Sequence, residues 1–362
     1  MKIALLSYST KPRGGVVHTL ALAEALAAIG EDVTVWTLAR GGDSGFFRAV
    51  DPAVRQEIVP FPDGPPQETV GERVLRSIAV LRDAFASGSY DIVHAQDCIS
   101  ANAVGRCVRT VHHIDQFTTP ELAACHEQAI VSPYAHICVS ATVAADLAGG
   151  WGIKAEVIPN GVAYERFAIT DPAARARWRA QLARYILTVG GIEPRKGSLD
   201  LLEAYALLRA EHPGVRLVVA GGETLFDYRD YRARWEARAA ELGVQPVVLG
   251  VVPDNDLPSL VAAAGAFAFP SLNEGFGLAA MEALAAGTPL VLRDLPVLRE
   301  VFGQAASFAA DPRALATALA AALACDDPAR RSAGRELAAR HTWDAAARSH
   351  LAFYHRHAPR ST

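Results

Sequence analysis

The sequence predicts an α/β chain of two units, each built on a parallel sheet with helices on both faces. Three observations carry this. Short apolar runs alternate with Ala/Leu-rich or amphipathic stretches, which is the strand–helix rhythm of a parallel sheet. The rhythm breaks in a polar, Ala/Arg-rich stretch at Asp171–Arg184 and then restarts. The chain has 362 residues, more than one domain usually holds.

The elements follow in order. Lys2–Ser7 is an apolar run read as the first strand. Val16–Ala28 is an Ala/Leu-rich helix, and Asp32–Thr37 alternates like a strand. Glu72–Ala86 places Val74, Leu75, Ile78 and Leu81 on one helical face. Asp91–Ala95, Cys107–Val111 and His136–Ser140 are strands, and Ala141–Leu147 is a helix. Val157–Val162 contains Pro and Asn-Gly and marks a turn. The second unit runs strand Tyr185–Val189, helix Leu199–Arg209, strand Arg216–Ala220, helix Tyr231–Leu242, strand Val247–Leu249, helix Leu257–Ala264 and strand Ala266–Phe269. A helix then starts near Leu278. The boundary is expected near 165–184, giving domains 1–165 and 166–340. A C-terminal helix in 341–362 is expected to pack back on the first domain.

Composition narrows the function classes. Hydrophobic residues make up 51% and charged residues 20%, as in a globular protein with large cores. The net charge of −4 gives no general attraction to nucleic acid or anionic lipid. The N-terminus does not read as a signal peptide, and no run resembles a membrane span. A cytoplasmic location is expected, with membrane contact peripheral at most, through the basic helix at Asp171–Arg184. The state expected is monomer or dimer. The five cysteines include no CxxC and fit free thiols in a reducing compartment. Cys98, Cys107, Cys125 and Cys138 lie near His94, His112 and His136 in sequence, but their spacings match no common zinc pattern. No metal is expected.

The most informative stretch is "SLNEGFGLAAMEALAAGTP", from Ser271. Between Gly275 and Leu292 its only charged residue is Glu282. A desolvated carboxylate needs a partner, so something polar is expected to dock there. Gly275 and Gly277 permit a sharp bend or a close approach after strand Ala266–Phe269. The amides of Leu278 and Ala279 then open a helix, a ready phosphate site. Glu282 is one turn further on and Glu274 lies before the bend. Two carboxylates flanking a phosphate suit hydroxyl-rich groups, such as a ribose and a sugar. The alternative is that both are solvated surface residues.

The pattern E-x7-E within "PSLNEGFGL…EALAAGTP" resembles the hallmark of retaining glycosyltransferases of the GT-B fold, most closely glycosyltransferase family 4. The resemblance spans the chain, with "SYSTKPRGGVVHTLALAEAL", "DIVHAQD", "TVHH", "VIPNGVAYERF", "VGGIEPRKG" and "HTW" in the family's order. It implies two Rossmann-like domains facing across a cleft, the C-terminal one holding the nucleotide of a nucleotide-sugar. It also implies that Glu282 binds the ribose hydroxyls, that Glu274 contacts the transferred sugar, and that the amides around Gly277–Ala279, Leu278 included, hold the diphosphate, with Gly275 and Phe276 among the donor-binding residues. No cofactor is implied; the donor is a UDP- or GDP-linked sugar.

In "VGGIEPRKG", Arg195 and Lys196 stand after the first strand of the second domain. A fixed cation there would stabilise charge developing on a leaving diphosphate. Lys196 matches the family's lysine. The family's arginine directly after the Gly is replaced by Gly191, so Arg195 is either its substitute or half of a solvated basic pair. Gly14 and Gly15 lie in the first strand-to-helix loop, which in the family borders acceptor and donor diphosphate; a simple tight turn is the alternative. His112 matches the family's T-x-H position near the transferred sugar. His94 reads as a structural histidine, since the family's H-x-H is His94-Ala95-Gln96 here. Asp254-Asn255-Asp256 spells D-x-D but precedes a helix and reads as its cap.

The function implied is retaining, metal-independent transfer of a sugar from a nucleoside diphosphate to a small or lipid-linked acceptor. A nucleotide-sugar epimerase on the same fold and a non-catalytic sugar-nucleotide-binding protein are the alternatives.

Overall fold

The computed structural model describes all residues except 87–89, 116, 118, 223–227, 326 and 359–362. The last four belong to the expected C-terminal segment and lie outside the described residues. The chain divides into two compact units, Met1–Gly161 with Trp343–Thr362, and Val162–Thr342.

The first unit runs β1 (Lys2–Leu6), α1 (Gly14–Ala28), β2 (Asp32–Arg40), β3 (Arg55–Phe61), α2 (Val70–Ala84), β4 (Ile92–Ala95), α3 (Cys98–Val104), β5 (Val108–Val111), α4 (Pro120–Val131), β6 (Ala135–Cys138), α5 (Ala141–Trp151) and β7 (Glu156–Val157). The strands form one parallel sheet in the order β3-β2-β1-β4-β5-β6-β7. The central strands are apolar on both faces because helices cover both: Ile3, Leu5, Val33, Val35 and Ile92 are fully buried. Local signals start the helices. Thr69 and Glu72 form a capping box on α2, and Asp97 and Ser140 accept from amides at the starts of α3 and α5.

The second unit runs α6 (Tyr164–Ala168), α7 (Pro172–Leu182), β8 (Arg184–Val189), a 3-10 turn at Pro194–Lys196, α8 (Ser198–Glu211), β9 (Val215–Ala220), α9 (Arg229–Glu241), β10 (Val247–Gly250), α10 (Leu257–Ala263), β11 (Ala266–Phe269), α11 (Leu278–Ala286), β12 (Leu290–Arg293), α12 (Pro296–Phe302), β13 (Ser307–Ala309), α13 (Pro312–Ala324) and α14 (Pro328–Arg340). Its parallel sheet has the order β10-β9-β8-β11-β12-β13. The polar helix α7 is held in this unit by Trp178, whose Nε1 donates to Ser259 Oγ at 3.1 Å on α10. The final helix, α15 (Trp343–His357), belongs to the first unit, where it packs on α1 and buries Phe353 and Tyr354 in that core.

In each sheet the strand order reverses beside the first strand of the unit: between β1 and β4, and between β8 and β11. Loops leaving the C-terminal ends of such a pair diverge, and a ligand-sized crevice opens there. The candidate residues must therefore be sought on the loops after these strands.

Candidate active site

In the second unit the loops after β8 and β11 touch at the reversal point. Gly197 has φ +63°, and a Cβ there would lie 2.2 Å from the carbonyl oxygen of Pro270. Only glycine allows this approach. The Leu272 amide donates to the Arg195 carbonyl at 2.7 Å, and the buried Arg293 guanidinium donates to Pro270 O and pairs with Asp200. The two loops are thereby locked.

This brings Lys196 and Glu274 together. Lys196 Nζ lies 2.8 Å from Glu274 Oε2 and 4.9 Å from the centre of the Phe269 ring. Arg195 reaches the same carboxylate oxygen at 3.5 Å and donates to Asn273 O at 3.3 Å. Glu193 lies 3.8 Å from Arg195. Burial lowers the pKa of Lys196 and the neighbouring Arg195 lowers it further, while Glu274 opposes both. The ammonium is thus a poorly hydrated cation held by one carboxylate, with a second cation beside it.

Gly277 is the N-cap of α11 at φ +95°, and a Cβ there would press on the Phe302 ring at 3.2 Å. Among the described residues nothing accepts the amides of Leu278 and Ala279. Gly275 and Phe276 are buried beside them; the Phe276 ring packs 5.7 Å from that of His341. The Phe276 side chain is therefore core, and only its backbone is available to a ligand.

Glu282 lies on α11 and makes no hydrogen bond or ion pair with another described residue. Burial pushes its pKa up to about 7; Arg166 opposes the rise and Asp254 adds to it. Those two form their own ion pair at 2.8 Å, and Arg166 also donates to Asp254 O. The sequence reading passed over Arg166, because its partner is 88 positions away. Asp256 occupies the N-cap of α10, as read, but its side chain accepts no capping bond. Among the described residues no group of three or more His, Cys, Asp or Glu side chains is arranged to hold a metal ion.

In the first unit, Gly14 and Gly15 do not form the loop expected of them. They are the first two residues of α1, because the helix starts two positions earlier than the Ala/Leu pattern implied. Arg13 offers no side-chain cap, and a Cβ at either glycine would meet nothing within 4 Å. Among the described residues nothing accepts from the amides of Gly14 and Gly15. His112, half-buried after β5, approaches Gln96 Oε1 through Nε2 at 3.2 Å, and the His18 ring stands edge-on at 4.7 Å. His18 is held by Asn160 Oδ1 at 2.9 Å. His94 is buried with both ring nitrogens satisfied, at 2.7 Å from Tyr354 Oη and 2.7 Å from Thr110 Oγ1. It is a structural histidine, as read. None of the five cysteines is in a disulfide.

Two parallel-sheet α/β units, the second with a cation–carboxylate pair and an anion-ready helix start at its reversal point, have the architecture that the resemblance implied. Residues 12–166 match glycosyltransferase family 4 and residues 174–339 match glycosyl transferases group 1. The D-inositol 3-phosphate glycosyltransferase of Salinispora arenicola is 31% identical over 344 residues, covering 80% of this chain and 76% of that one. The phosphatidyl-myo-inositol mannosyltransferase of Mycolicibacterium smegmatis is 29% identical over 324 residues, covering 83% and 78%. The chain belongs to glycosyltransferase family 4, within the group 1 glycosyl transferases. Among solved structures, HepE of Anabaena in complex with UDP and glucose has the same fold, with a TM-score of 0.73, 20% identity and coverage of 99% and 100%. No described helix is long and apolar enough to cross a membrane.

Proposed function

We propose that this glycosyltransferase uses a UDP- or GDP-linked sugar, retains the anomeric configuration, needs no metal, and transfers to a hydroxyl of a small or lipid-linked acceptor. The observation that carries this is the Lys196–Glu274 pair at 2.8 Å, beside a helix start with unclaimed amides. The amides of Leu278 and Ala279 take the diphosphate. Glu282, which has no hydrogen-bond or ion-pair partner among the described residues, accepts from the ribose hydroxyls. When the donor binds, its diphosphate lies beside the Lys196 ammonium, and Glu274, which keeps Arg195 as a partner, accepts from a sugar hydroxyl.

The reaction breaks the bond from C1 to the phosphate oxygen. The acceptor oxygen bonds to C1 on the same face, and its proton passes to the leaving phosphate. No enzyme nucleophile is required. Charge grows on the diphosphate as the bond breaks, and Lys196 with Arg195 stabilises that charge where little water screens it. The two fixed cations take the part a divalent ion would otherwise play. His112 is assigned to a hydroxyl of the transferred sugar, and the unclaimed amides at Gly14 and Gly15 to an anionic group of substrate. The names of the relatives support both acceptor kinds, since one acts on inositol 3-phosphate and another on phosphatidyl-myo-inositol.

The test is a proton NMR time course with UDP-glucose or GDP-mannose, alone and with inositol 3-phosphate or phosphatidylinositol. A new glycoside with the donor's anomeric configuration is expected. Inverted product, isomerised donor without transfer, or binding without turnover would overturn the reading.

A further inference from the structure

Gln96 follows β4 at the point where the first sheet's strand order reverses, and His112 follows the neighbouring β5. The Gln96 backbone amide donates to Leu6 O at 3.0 Å, and the residue is 2% exposed, so its side chain has little freedom. Its Oε1 lies 3.2 Å from His112 Nε2. The other ring nitrogen of His112, Nδ1, has no partner among the described residues. The groups around the ring are Arg109, His113, His94, His350 and His18. Burial first, and then these neighbours, holds the His112 pKa well below its ordinary value, so the ring is neutral at pH 7. A neutral imidazole has one N–H and one bare nitrogen, and the hydrogen bond made by one nitrogen decides the role of the other.

We propose that Gln96 is a positioning residue whose Oε1 accepts from Nε2–H of His112, fixing that tautomer and leaving Nδ1 bare to accept a hydrogen bond from a substrate hydroxyl. The role of Nδ1 rests on the assignment of His112 to the transferred sugar. A histidine at position 96 would accept from His112 only in one of its own tautomers, whereas Gln96 accepts with Oε1 turned to the ring, as here, its Nε2 being buried without a partner among the described residues. The proposal thus gives a physical meaning to the chain's departure from the family's H-x-H.

The test uses the full chain labelled with 15N-histidine, the His112 signals being assigned by their loss in His112→Asn. The parent should show His112 with the proton on Nε2. Gln96→Met removes the acceptor and should yield mixed tautomers and a roughly ten-fold lower kcat, with the donor KM little changed. Gln96→Glu keeps an acceptor and should keep the tautomer, with the His112 titration moved to higher pH by the adjacent carboxylate. A parent ring protonated on Nδ1 would overturn the proposal, as would a Gln96→Met enzyme with the parental tautomer and kcat. The parent spectrum decides even if a Gln96 variant fails to fold, and His112→Gln supplies the assignment should His112→Asn not fold. A parental kcat in His112→Asn would instead overturn the role given to His112, leaving the tautomer result to stand on its own.

Discussion

Glu282, in the role proposed for it, should tie donor binding to pH. Its pKa of about 7 arises chiefly from burial, so the protein alone half-neutralises it near neutrality. Only the ionised carboxylate accepts from both hydroxyls of a ribose, and apparent affinity scales with the competent fraction. That fraction is about 0.1 at pH 6 and about 0.9 at pH 8, so the apparent Kd should improve about ten-fold between them. The assay is calorimetric titration with an intact nucleotide-sugar, UDP-glucose or GDP-mannose, at pH 6, 7 and 8. Its diphosphate is esterified at both ends and does not titrate in this window, so the slope reports on the protein. Glu282→Gln should flatten the slope and weaken binding at pH 8 by about 1–3 kcal/mol, the range for leaving ligand hydrogen bonds unmade. Stability should move the other way. The folded pKa lies above the ordinary 4.5, so the folded state binds the extra proton and loses stability as pH rises from 4.5 through about 7. The Tm of Glu282→Gln should therefore gain on the parent across that window. A pH-independent parental Kd, or a slope that persists in Glu282→Gln, would refute the reasoning.

Two further substitutions divide the site. Glu274→Ala should spare the free nucleoside diphosphate, since Lys196 and Arg195 remain, and should weaken the intact donor; equal loss for both ligands in titration would remove Glu274 from the sugar side. Arg195→Ala tests whether the guanidinium replaces the arginine missing at Gly191. Its place 3.5 Å from the Glu274 oxygen that Lys196 also holds predicts a fall in kcat of roughly ten-fold or more, and a change within two-fold in steady-state rates would make it a solvated neighbour.

Much of this architecture can be read from the sequence, because strand and helix periods are local. Apolar runs such as "KIALL" and "AFAF" lie in the centres of the sheets. The strand β3 is missed for an equally local reason. "RQEIVPF" is largely exposed at the sheet edge and contains Pro60, which edge strands tolerate and central ones do not. The proposed donor site is legible where one loop carries it: the glycines, the helix start and both glutamates fall within "NEGFGLAAME". The Lys196–Glu274 contact is not, because it spans 78 positions and exists only because β8 lies beside β11. The lack of a partner for Glu282 among the described residues, the Arg166–Asp254 pair beside it and the bond between Gln96 and His112 are likewise products of packing. The packing of the Phe276 ring in the core against His341 is likewise invisible in the motif, which leaves only the backbone of that residue for a ligand.

The central claim is that a fixed cation on the leaving diphosphate drives transfer. Lys196 sits in a sheltered position, its side chain 19% exposed, and Glu274 keeps Arg195 as a partner when it is removed. Lys196→Ala should therefore fold, as circular dichroism would check. The direct measurement is its turnover at saturating donor. A fall in kcat of roughly 10²–10³-fold is expected, comparable to the loss of one preorganised donor, with no rescue by Lys196→Arg, whose planar fork cannot replace a compact ammonium. Turnover of the folded Lys196→Ala protein at the parental rate would contradict the account.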